Sequence, residues 1–151
     1  MSQLRVLVVD DEPEICRLLS DGLGAKGYDV ITCTEGDEAV AIAKEIAKQE
    51  GPCVVLLDIK MPVMNGVQTL GALKNVLPRA SYVMITGHSS SDLVEESFSN
   101  GATLCLAKPL GIAKILDVVE SLRQDLEEAQ AESARGGCAD ASCGVHRQSP
   151  Q

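Results

Sequence analysis

Four apolar segments of the sequence end in residues that can do metal or phosphate chemistry. The first segment is followed by Asp10 and Asp11, the third by Asp58, the fourth by Thr86 and the fifth by Lys108. In an open parallel α/β sheet, ligands bind at the carboxyl ends of the strands. If these segments are parallel strands, three carboxylates, one hydroxyl and one ammonium group meet at one edge of the sheet.

This set of side chains predicts a Mg²⁺-dependent phosphoryl-transfer site. Neighbouring carboxylates repel one another unless a positive charge offsets them. Mg²⁺ supplies that charge, because it prefers oxygen ligands and is typically held by one or two carboxylates, waters and a phosphate oxygen. In phosphoryl transfer the protein mainly positions groups and neutralises charge. We therefore expect Asp58 to be the nucleophile that forms an aspartyl phosphate, with Lys108 and Thr86 contacting the phosphoryl oxygens.

The spacing of the apolar segments predicts the elements that position these residues. Five strand-like segments alternate with five amphipathic segments, which is typical of βαβ units around a parallel sheet. The predicted strands cover residues 5–9, 28–33, 53–57, 82–85 and 103–107. The predicted helices cover residues 13–26, 37–49, 67–76, 92–99 and 112 to about 132. Asp11, Glu12 and Pro13 form an acidic N-cap pattern with proline in the first helical turn.

Composition limits the classes of function. The formal net charge is −9, which argues against direct nucleic-acid binding, because phosphate contacts need Lys and Arg. No apolar segment approaches the ~20 residues of a membrane span, and the N-terminus lacks a signal-peptide pattern. We therefore expect a cytoplasmic protein without membrane insertion. Its six cysteines are expected to be reduced, as disulfides are rare in that compartment.

Four sequence segments closely resemble a known family. The segments VLVVDDEP, VVLLDIKMPVMNG, VMITGHSS and LAKPL occur in this order, one at each of four strand ends. They are similar to the receiver domain of two-component response regulators, and the resemblance covers residues 4 to 123. It implies a flavodoxin-like (βα)5 fold, an α/β doubly wound parallel sheet with strand order 2-1-3-4-5.

The resemblance also assigns roles to individual residues. It implies that Asp10, Asp11, Asp58 and the backbone carbonyl of Lys60 bind Mg²⁺, and that Asp58 is the phosphoacceptor. By the same resemblance, Thr86 carries the switch hydroxyl and Lys108 is the phosphate-binding lysine. Pro109 is expected to follow a cis peptide bond. The implied phosphodonor is a sensor histidine kinase, a phosphotransfer protein or a small acyl phosphate.

Three positions are expected to give this chain its own properties. Receivers commonly carry Tyr or Phe three residues before the lysine, and this chain has Cys105 at that switch position. Without a rotating ring, we expect a smaller or differently shaped surface change on phosphorylation. Lys60 and His88 occupy positions that modulate the lifetime of the phosphoryl group in receivers, so we expect these two side chains to modulate it here.

The sequence predicts one receiver domain at residues 1–124, followed by an extension of the last helix and a disordered tail at residues 125–151. The leading hypothesis is a stand-alone receiver in a two-component phosphorelay, which acts either as a relay intermediate or as a regulator that binds a downstream protein. It is expected to autodephosphorylate and not to be an enzyme acting on external substrates. One alternative is a receiver module of a larger regulator or hybrid kinase. Another is an unphosphorylated pseudo-receiver adaptor. A phosphatase-like hydrolase is a further alternative, but such enzymes carry D-x-D after the first strand, whereas this chain has the adjacent pair Asp10 and Asp11 there.

The last helix and the tail contain two weaker patterns. Apolar residues in the last helix follow a 4-3-4-3 spacing: Ile115, Val119, Leu122, Leu126 and Ala129. The first three are expected to pack on the sheet. The continuation of the pattern would allow a homodimer. The tail contains a C-x₄-C-x₂-H pattern, formed by Cys138, Cys143 and His146. Three such residues fall short of the four ligands of a structural zinc site, so no zinc is expected.

Overall fold

The protein forms a five-stranded parallel sheet with helices on both faces. The computed structural model describes residues 4–49, 52–59, 66–87, 91–108 and 111–134. The strand order is β2-β1-β3-β4-β5, which confirms the predicted doubly wound, flavodoxin-like fold. The strands are β1 (Arg5–Val9), β2 (Asp29–Cys33), β3 (Cys53–Asp58), β4 (Ser81–Thr86) and β5 (Leu104–Ala107).

Five helices alternate with the strands along the described ranges. They are α1 (Pro13–Gly24), α2 (Gly36–Ala47), α3 (Gly66–Val76), α4 (Ser91–Ser99) and α5 (Ile112–Ala134). Each begins within one residue of its predicted start. Helix α1 is two residues shorter than predicted, because the chain turns at Gly27, whose φ of 90° is readily adopted by glycine.

The sheet separates the core into two apolar clusters, one on each face. Successive residues of a strand point to opposite faces, so Leu7 and Val9 pack on one side while Val6 and Val8 pack on the other. Helices α2 and α3 cover the first face, and helices α1 and α5 cover the second. Burial on both faces explains why the three central strands are continuous aliphatic segments in the sequence.

The two outer strands are less covered than the three inner ones. Every residue of β3 is buried, whereas β5 has three half-buried residues and one exposed residue. Strand β2 is buried only at Cys33. The inner strands therefore form the buried centre of the sheet, and β5 lies at one end of the described strand order.

Helix α5 packs on the sheet through the first half of its apolar pattern. Ile115, Val119 and Leu122 are buried in the α1/α5 cluster, as the sequence predicted, and Leu126 is partly buried against it. The helix continues to Ala134, past the predicted domain boundary at residue 124. The predicted disordered tail, with its three candidate zinc ligands, lies outside the described residues.

The described cysteines are free thiols in largely apolar surroundings. Cys16, Cys33, Cys53 and Cys105 form no disulfide with one another. Burial raises the pKa of both Cys33 and Cys53 to about 12, so these thiols are poor nucleophiles at neutral pH. Among the helices that the structure describes, none combines the length and the hydropathy needed for a membrane span.

Candidate functional site

The parallel register aligns the carboxyl ends of the three inner strands. Val9 pairs with Leu57, so the next residues, Asp10 and Asp58, are level with each other. Asp58 pairs in turn with Ile85, the residue that precedes Thr86 on the next strand.

The edge strand extends this alignment, because Thr86 pairs with Ala107 and Lys108 follows directly. We call the edge of the sheet at the carboxyl ends of its strands the rim. Its predicted members are Asp10, Asp11, Asp58, Thr86 and Lys108. The backbone N–H of Lys108 donates to the carbonyl of Thr86 at 2.7 Å. This hydrogen bond holds the backbone of Lys108 next to the end of β4.

The ammonium group of Lys108 lies among carboxylates from different parts of the chain. Its Nζ is 3.4 Å from Oδ2 of Asp10 and 3.5 Å from Oδ2 of Asp58. Both carboxylates are nearly completely buried, and the Lys108 side chain is about one-quarter exposed, at 24%. The structure thus brings together the lysine and two of the three aspartates that the sequence placed at the rim.

The buried carboxylate of Asp10 is held in an electrostatically unfavourable place. Burial raises its pKa, and this outweighs the lowering by the backbone N–H of Glu12 and by Lys108. The Glu12 N–H donates to Oδ1 of Asp10 at 2.9 Å. Because a raised pKa means that the ionised form is disfavoured relative to water, additional positive charge near Asp10 would be stabilising.

The charged form of Lys108, in contrast, is favoured by its surroundings. Burial alone would lower its pKa, but the charges of Asp10 and Asp58 and the hydrogen bonds to Asp10 and Glu12 raise it overall. The ammonium therefore stays protonated across the neutral range and carries a permanent positive charge at the rim. A fixed cation next to a buried carboxylate suits the binding of a group that develops negative charge.

Carboxylate oxygens from the β1–α1 connection lie close enough together for a metal ion. One oxygen each from Asp10, Asp11 and Glu12 lies within 4.8 Å of the others. Oxygen donors of this kind suit a hard divalent cation such as Mg²⁺, and the raised pKa of Asp10 gives a reason for one to bind. The donor set fits the predicted metal, and Asp10 and Asp11 are the predicted ligands within it.

Glu12 is a rim residue that the sequence did not single out. It was predicted to belong to an N-cap, and it does precede the first residue of α1, but its side chain makes no capping hydrogen bond. Instead, its Oε1 lies 3.4 Å from Nζ of Lys108. A third consecutive acidic residue at a strand end was the available signal, although its contact with Lys108 depends on the tertiary fold.

The family to which the chain is related follows from comparison with known proteins. Residues 6–120 match the family described as the response regulator receiver domain. The chain belongs to this family. The resemblance inferred from the strand-end segments is thereby confirmed, and receiver domains form a non-enzymatic signalling family.

Two curated relatives illustrate the range of proteins that contain such a receiver domain. The chain is 39% identical over 111 residues to the transcriptional regulatory protein KdpE of Mycobacterium tuberculosis, covering 74% of this chain and 47% of KdpE. It is 32% identical over 120 residues to the sporulation initiation phosphotransferase F of Bacillus subtilis, covering 80% of this chain and 94% of that protein. The chain thus spans about half of KdpE and nearly all of the phosphotransferase.

A solved receiver structure has the same fold with ligands bound. The crystal structure of a CheX–CheY–BeF3–Mg²⁺ complex from Borrelia burgdorferi contains a chain that is 32% identical. The superposition covers 79% of this chain and 88% of the Borrelia chain, with a TM-score of 0.71. Receiver domains generally bind Mg²⁺ at an acidic cluster, and this chain has such a cluster at the end of β1.

Two further predicted receiver positions lie on β4 and β5, one at the rim and one close to it. Thr86 is buried at the end of β4. Cys105 is half-buried on β5, pairs in register with Met84, and packs against the α2/α3 cluster. Burial raises the pKa of Cys105, which fits an apolar environment. The roles assigned to Thr86 and Cys105 in switching stay predictions.

Lys60, His88 and Pro109 lie outside the described residues. The carbonyl ligand, the modulating side chains and the cis peptide bond assigned to them therefore stay predictions.

Gly66 is fixed by a close approach to the strand that carries Asp58. Its N–H donates to the carbonyl of Ile59 at 2.6 Å, which joins the start of α3 to the residue that follows β3. A Cβ atom on Gly66 would collide with the carbonyl of Asp58 and would lie 2.6 Å from Cα of Ile59. Because these are backbone atoms, a side chain here must displace the segment that positions the Asp58 carboxylate.

We expect Gly66→Ala to reduce the free energy of unfolding by about 1–3 kcal/mol, the usual range for overpacking. Gly71→Ala is the matched control, because it lies on the same helix and its Cβ would have no atom within 4 Å. Replacing that helical glycine should be neutral or stabilising by up to about 1 kcal/mol. Urea denaturation of both variants checks this, and equal stabilities would contradict the close approach at Gly66.

Proposed function

We propose that this chain is a phosphoacceptor in two-component signalling, and that Asp58 receives the phosphoryl group in a Mg²⁺-dependent reaction. The observation that carries the proposal is the position of the Lys108 ammonium between Asp10 and Asp58, 3.4 and 3.5 Å from their carboxylate oxygens. This joins the ends of three strands in one charged site. Such a site can both activate an acceptor and neutralise an entering phosphoryl group.

In the proposed reaction, an oxygen of the Asp58 carboxylate attacks phosphorus. A new O–P bond forms while the P–O bond of an acyl phosphate, or the P–N bond of a phosphohistidine, breaks. The leaving carboxylate or imidazole departs with the bonding electron pair. Attack by water on the aspartyl phosphate would later release inorganic phosphate and restore Asp58, which is the proposed autodephosphorylation.

The side chains at the rim divide the work of charge neutralisation. Lys108 approaches the phosphoryl oxygens as a compact cation on a flexible stem. Asp10 and Asp11 would hold Mg²⁺ together with Asp58 and the carbonyl of Lys60, and the bound ion would neutralise charge on the phosphoryl oxygens. Thr86 would donate its hydroxyl to the phosphoryl group once that acceptor is present.

The comparisons support this assignment at the level of the family. One relative is named a phosphotransferase, and a solved relative was crystallised with BeF3 and Mg²⁺. Receiver domains interact with histidine kinases or phosphotransfer proteins. We propose such a protein as the donor here, with a small acyl phosphate as an alternative donor and the cytoplasm as the place of reaction.

The output is proposed to be a change in a protein-binding surface. Thr86 is the last residue of β4, and Lys108 directly follows β5, so movement of either toward a phosphoryl group would shift the edge of the sheet next to Cys105. Since Cys105 replaces the usual aromatic residue, the surface change should be smaller than, or different in shape from, the change that a ring rotation would produce. We propose a downstream protein as the target, without direct binding to nucleic acid.

Helix α5 favours a second possibility for the context of the domain. It continues to Ala134, beyond the region matched by the family, and the chain spans only 47% of KdpE. A receiver module of a larger regulator or hybrid kinase would use such a helix as a connection to its next domain. Homodimerisation through the same helix is the other proposed use of its extension.

The decisive experiment is intact-mass spectrometry after incubation with acetyl phosphate. One phosphoryl adduct is expected in the presence of Mg²⁺, and none when Mg²⁺ is replaced by a chelator. Binding of beryllium fluoride, followed by NMR, covers the case of a short-lived adduct. The proposal is wrong if there is neither an adduct nor Mg²⁺-dependent beryllium fluoride binding, and the chain would then be a pseudo-receiver adaptor.

A further inference from the structure

Lys108 has a third carboxylate partner that the proposed reaction does not use. Its Nζ lies 3.4 Å from Oε1 of Glu12, as close as it lies to Asp10. An ammonium group has three N–H donors, and these face three carboxylates when no phosphoryl group is present. Two of those carboxylates, on Asp10 and Asp58, belong to the proposed acceptor site, whereas Glu12 does not.

The local structure explains why the Glu12 side chain is available to Lys108. Glu12 occupies the N-cap position of α1, with φ −98° and ψ 110°, yet its side chain caps no backbone N–H. Its own N–H donates to Asp10, and its carbonyl accepts from the N–H groups of Ile15 and Cys16. The backbone is therefore held at both sides, while the carboxylate extends to Lys108.

The exposure of the three partners separates Glu12 from the other two. The side chains of Asp10 and Asp58 are 4% and 6% exposed, whereas that of Glu12 is 61% exposed. An exposed carboxylate is easily resolvated when its partner leaves, so this ion pair can break without leaving a buried charge. Among the three contacts of Lys108, the one to Glu12 is the easiest to exchange for another anion.

We propose that Glu12 is a positioning residue that restrains Lys108 and competes with the entering phosphoryl group for its ammonium. This inference rests on the proposed phosphoacceptor function and adds a residue that sets its rate. In the unphosphorylated protein, Glu12 keeps the ammonium at the outer side of the rim. An entering phosphoryl group must displace it, which slows phosphorylation and weakens the binding of phosphoryl mimics.

The charge of Glu12 also acts on cations, so the test must separate the two effects. Its carboxylate lies within 4.8 Å of those of Asp10 and Asp11, and removing it should weaken Mg²⁺ binding. Measurements at saturating Mg²⁺ exclude this contribution, after the Mg²⁺ affinity of each variant has been determined by titration.

Three variants distinguish contact from charge. Glu12→Gln removes the charge, and Glu12→Asp keeps the charge but shortens the side chain by one methylene, which withdraws it from Lys108. Glu14→Gln is the matched control, because Glu14 is an exposed acidic residue in the first turn of α1. It does not pair with Lys108, whose ion-pair partners among the described residues are the three named above. Thermal unfolding checks that all three variants are folded.

The first measurement is the rate of phosphorylation by acetyl phosphate at saturating Mg²⁺. We expect Glu12→Gln and Glu12→Asp to be faster than the wild type by about two- to five-fold, the factor that an exposed ion pair can contribute. Glu14→Gln should match the wild type. High salt should reduce the difference between Glu12→Gln and the wild type, since salt screens an exposed pair.

The second measurement is the NMR signal of the Lys108 side chain before any phosphodonor is added. We expect it to shift in Glu12→Gln and Glu12→Asp but not in Glu14→Gln. An unchanged signal in Glu12→Gln would overturn the proposal, as would equal phosphorylation rates in Glu12→Gln and Glu14→Gln. If the wild type forms an adduct but the variants show none of these differences, only the role of Glu12 is wrong. If no variant forms an adduct or binds beryllium fluoride, the proposed phosphoacceptor function is wrong as well.

Discussion

The Asp58→Asn variant is expected to show no phosphoryl adduct with acetyl phosphate and Mg²⁺, under conditions in which the wild type is fully modified. An amide has no anionic oxygen with which to attack phosphorus, so the nucleophile is lost. Asparagine has nearly the same shape as aspartate, and Asp58 is 5% exposed at the end of a fully buried strand. The substitution therefore removes the chemistry while leaving the packing in place.

The charge around residue 58 also favours a folded variant. Asp58 and Asp10 share one ammonium group, and removing one of these carboxylates lessens the repulsion between them. Circular dichroism should therefore show a native spectrum for Asp58→Asn. Asp117→Asn, at an exposed position on α5, is the control and should be phosphorylated like the wild type. A Mg²⁺-dependent adduct on Asp58→Asn would show that another residue is the acceptor.

The Lys108→Gln variant should accept a phosphoryl group about 10²–10³ times more slowly than the wild type, the effect typical of removing one charge-stabilising donor from an active site. Lys108 is the ammonium group shared by Asp10 and Asp58, and its raised pKa keeps it charged at neutral pH. Glutamine retains hydrogen-bonding capacity but carries no charge. The entering phosphoryl group then meets carboxylates without the balancing cation.

Initial rates with acetyl phosphate, measured at saturating Mg²⁺, test this expectation. Lys114→Gln is the matched control, because Lys114 is an exposed lysine in the first turn of α5 and should behave like the wild type. Lys108→Arg should recover only part of the rate, since a planar guanidinium does not replace a compact ammonium. A rate for Lys108→Gln within a few-fold of the wild type would remove Lys108 from the proposed reaction.

The strands and their order were predictable because the inner strands are buried on both faces. Such strands are continuous aliphatic segments, and β1 has the predicted bounds Arg5–Val9. Parallel register then places whatever follows each strand at the rim, which is why Asp10, Asp58 and Lys108 were found as neighbours. Errors occur at element ends, for example at Tyr28, which precedes β2 instead of beginning it.

Contacts between distant side chains were not predictable from local patterns. The single O–H of Tyr82 is shared between two carbonyl oxygens near the end of α3, that of Leu77 at 2.6 Å and that of Leu73 at 3.0 Å. The sequence position of Tyr82 indicates only a buried strand residue. The pairing of Glu12 with Lys108 is of the same kind, since the two are separated by most of the domain. The capping pattern near Glu12 predicted the start of the helix but not the direction of the side chain.

The attachment of Lys108 to β5 links the rim to the least protected strand of the sheet. Strand β5 has four residues, is at most half-buried and, among the described strands, pairs with β4 alone. Local opening in proteins starts where few apolar contacts must be broken, so opening of β5 withdraws the ammonium from Asp10 and Asp58. By thermodynamic reciprocity, an anion that binds Lys108 at the rim must suppress this opening. Amide protection along β5 is therefore expected to rise when an anion occupies the rim.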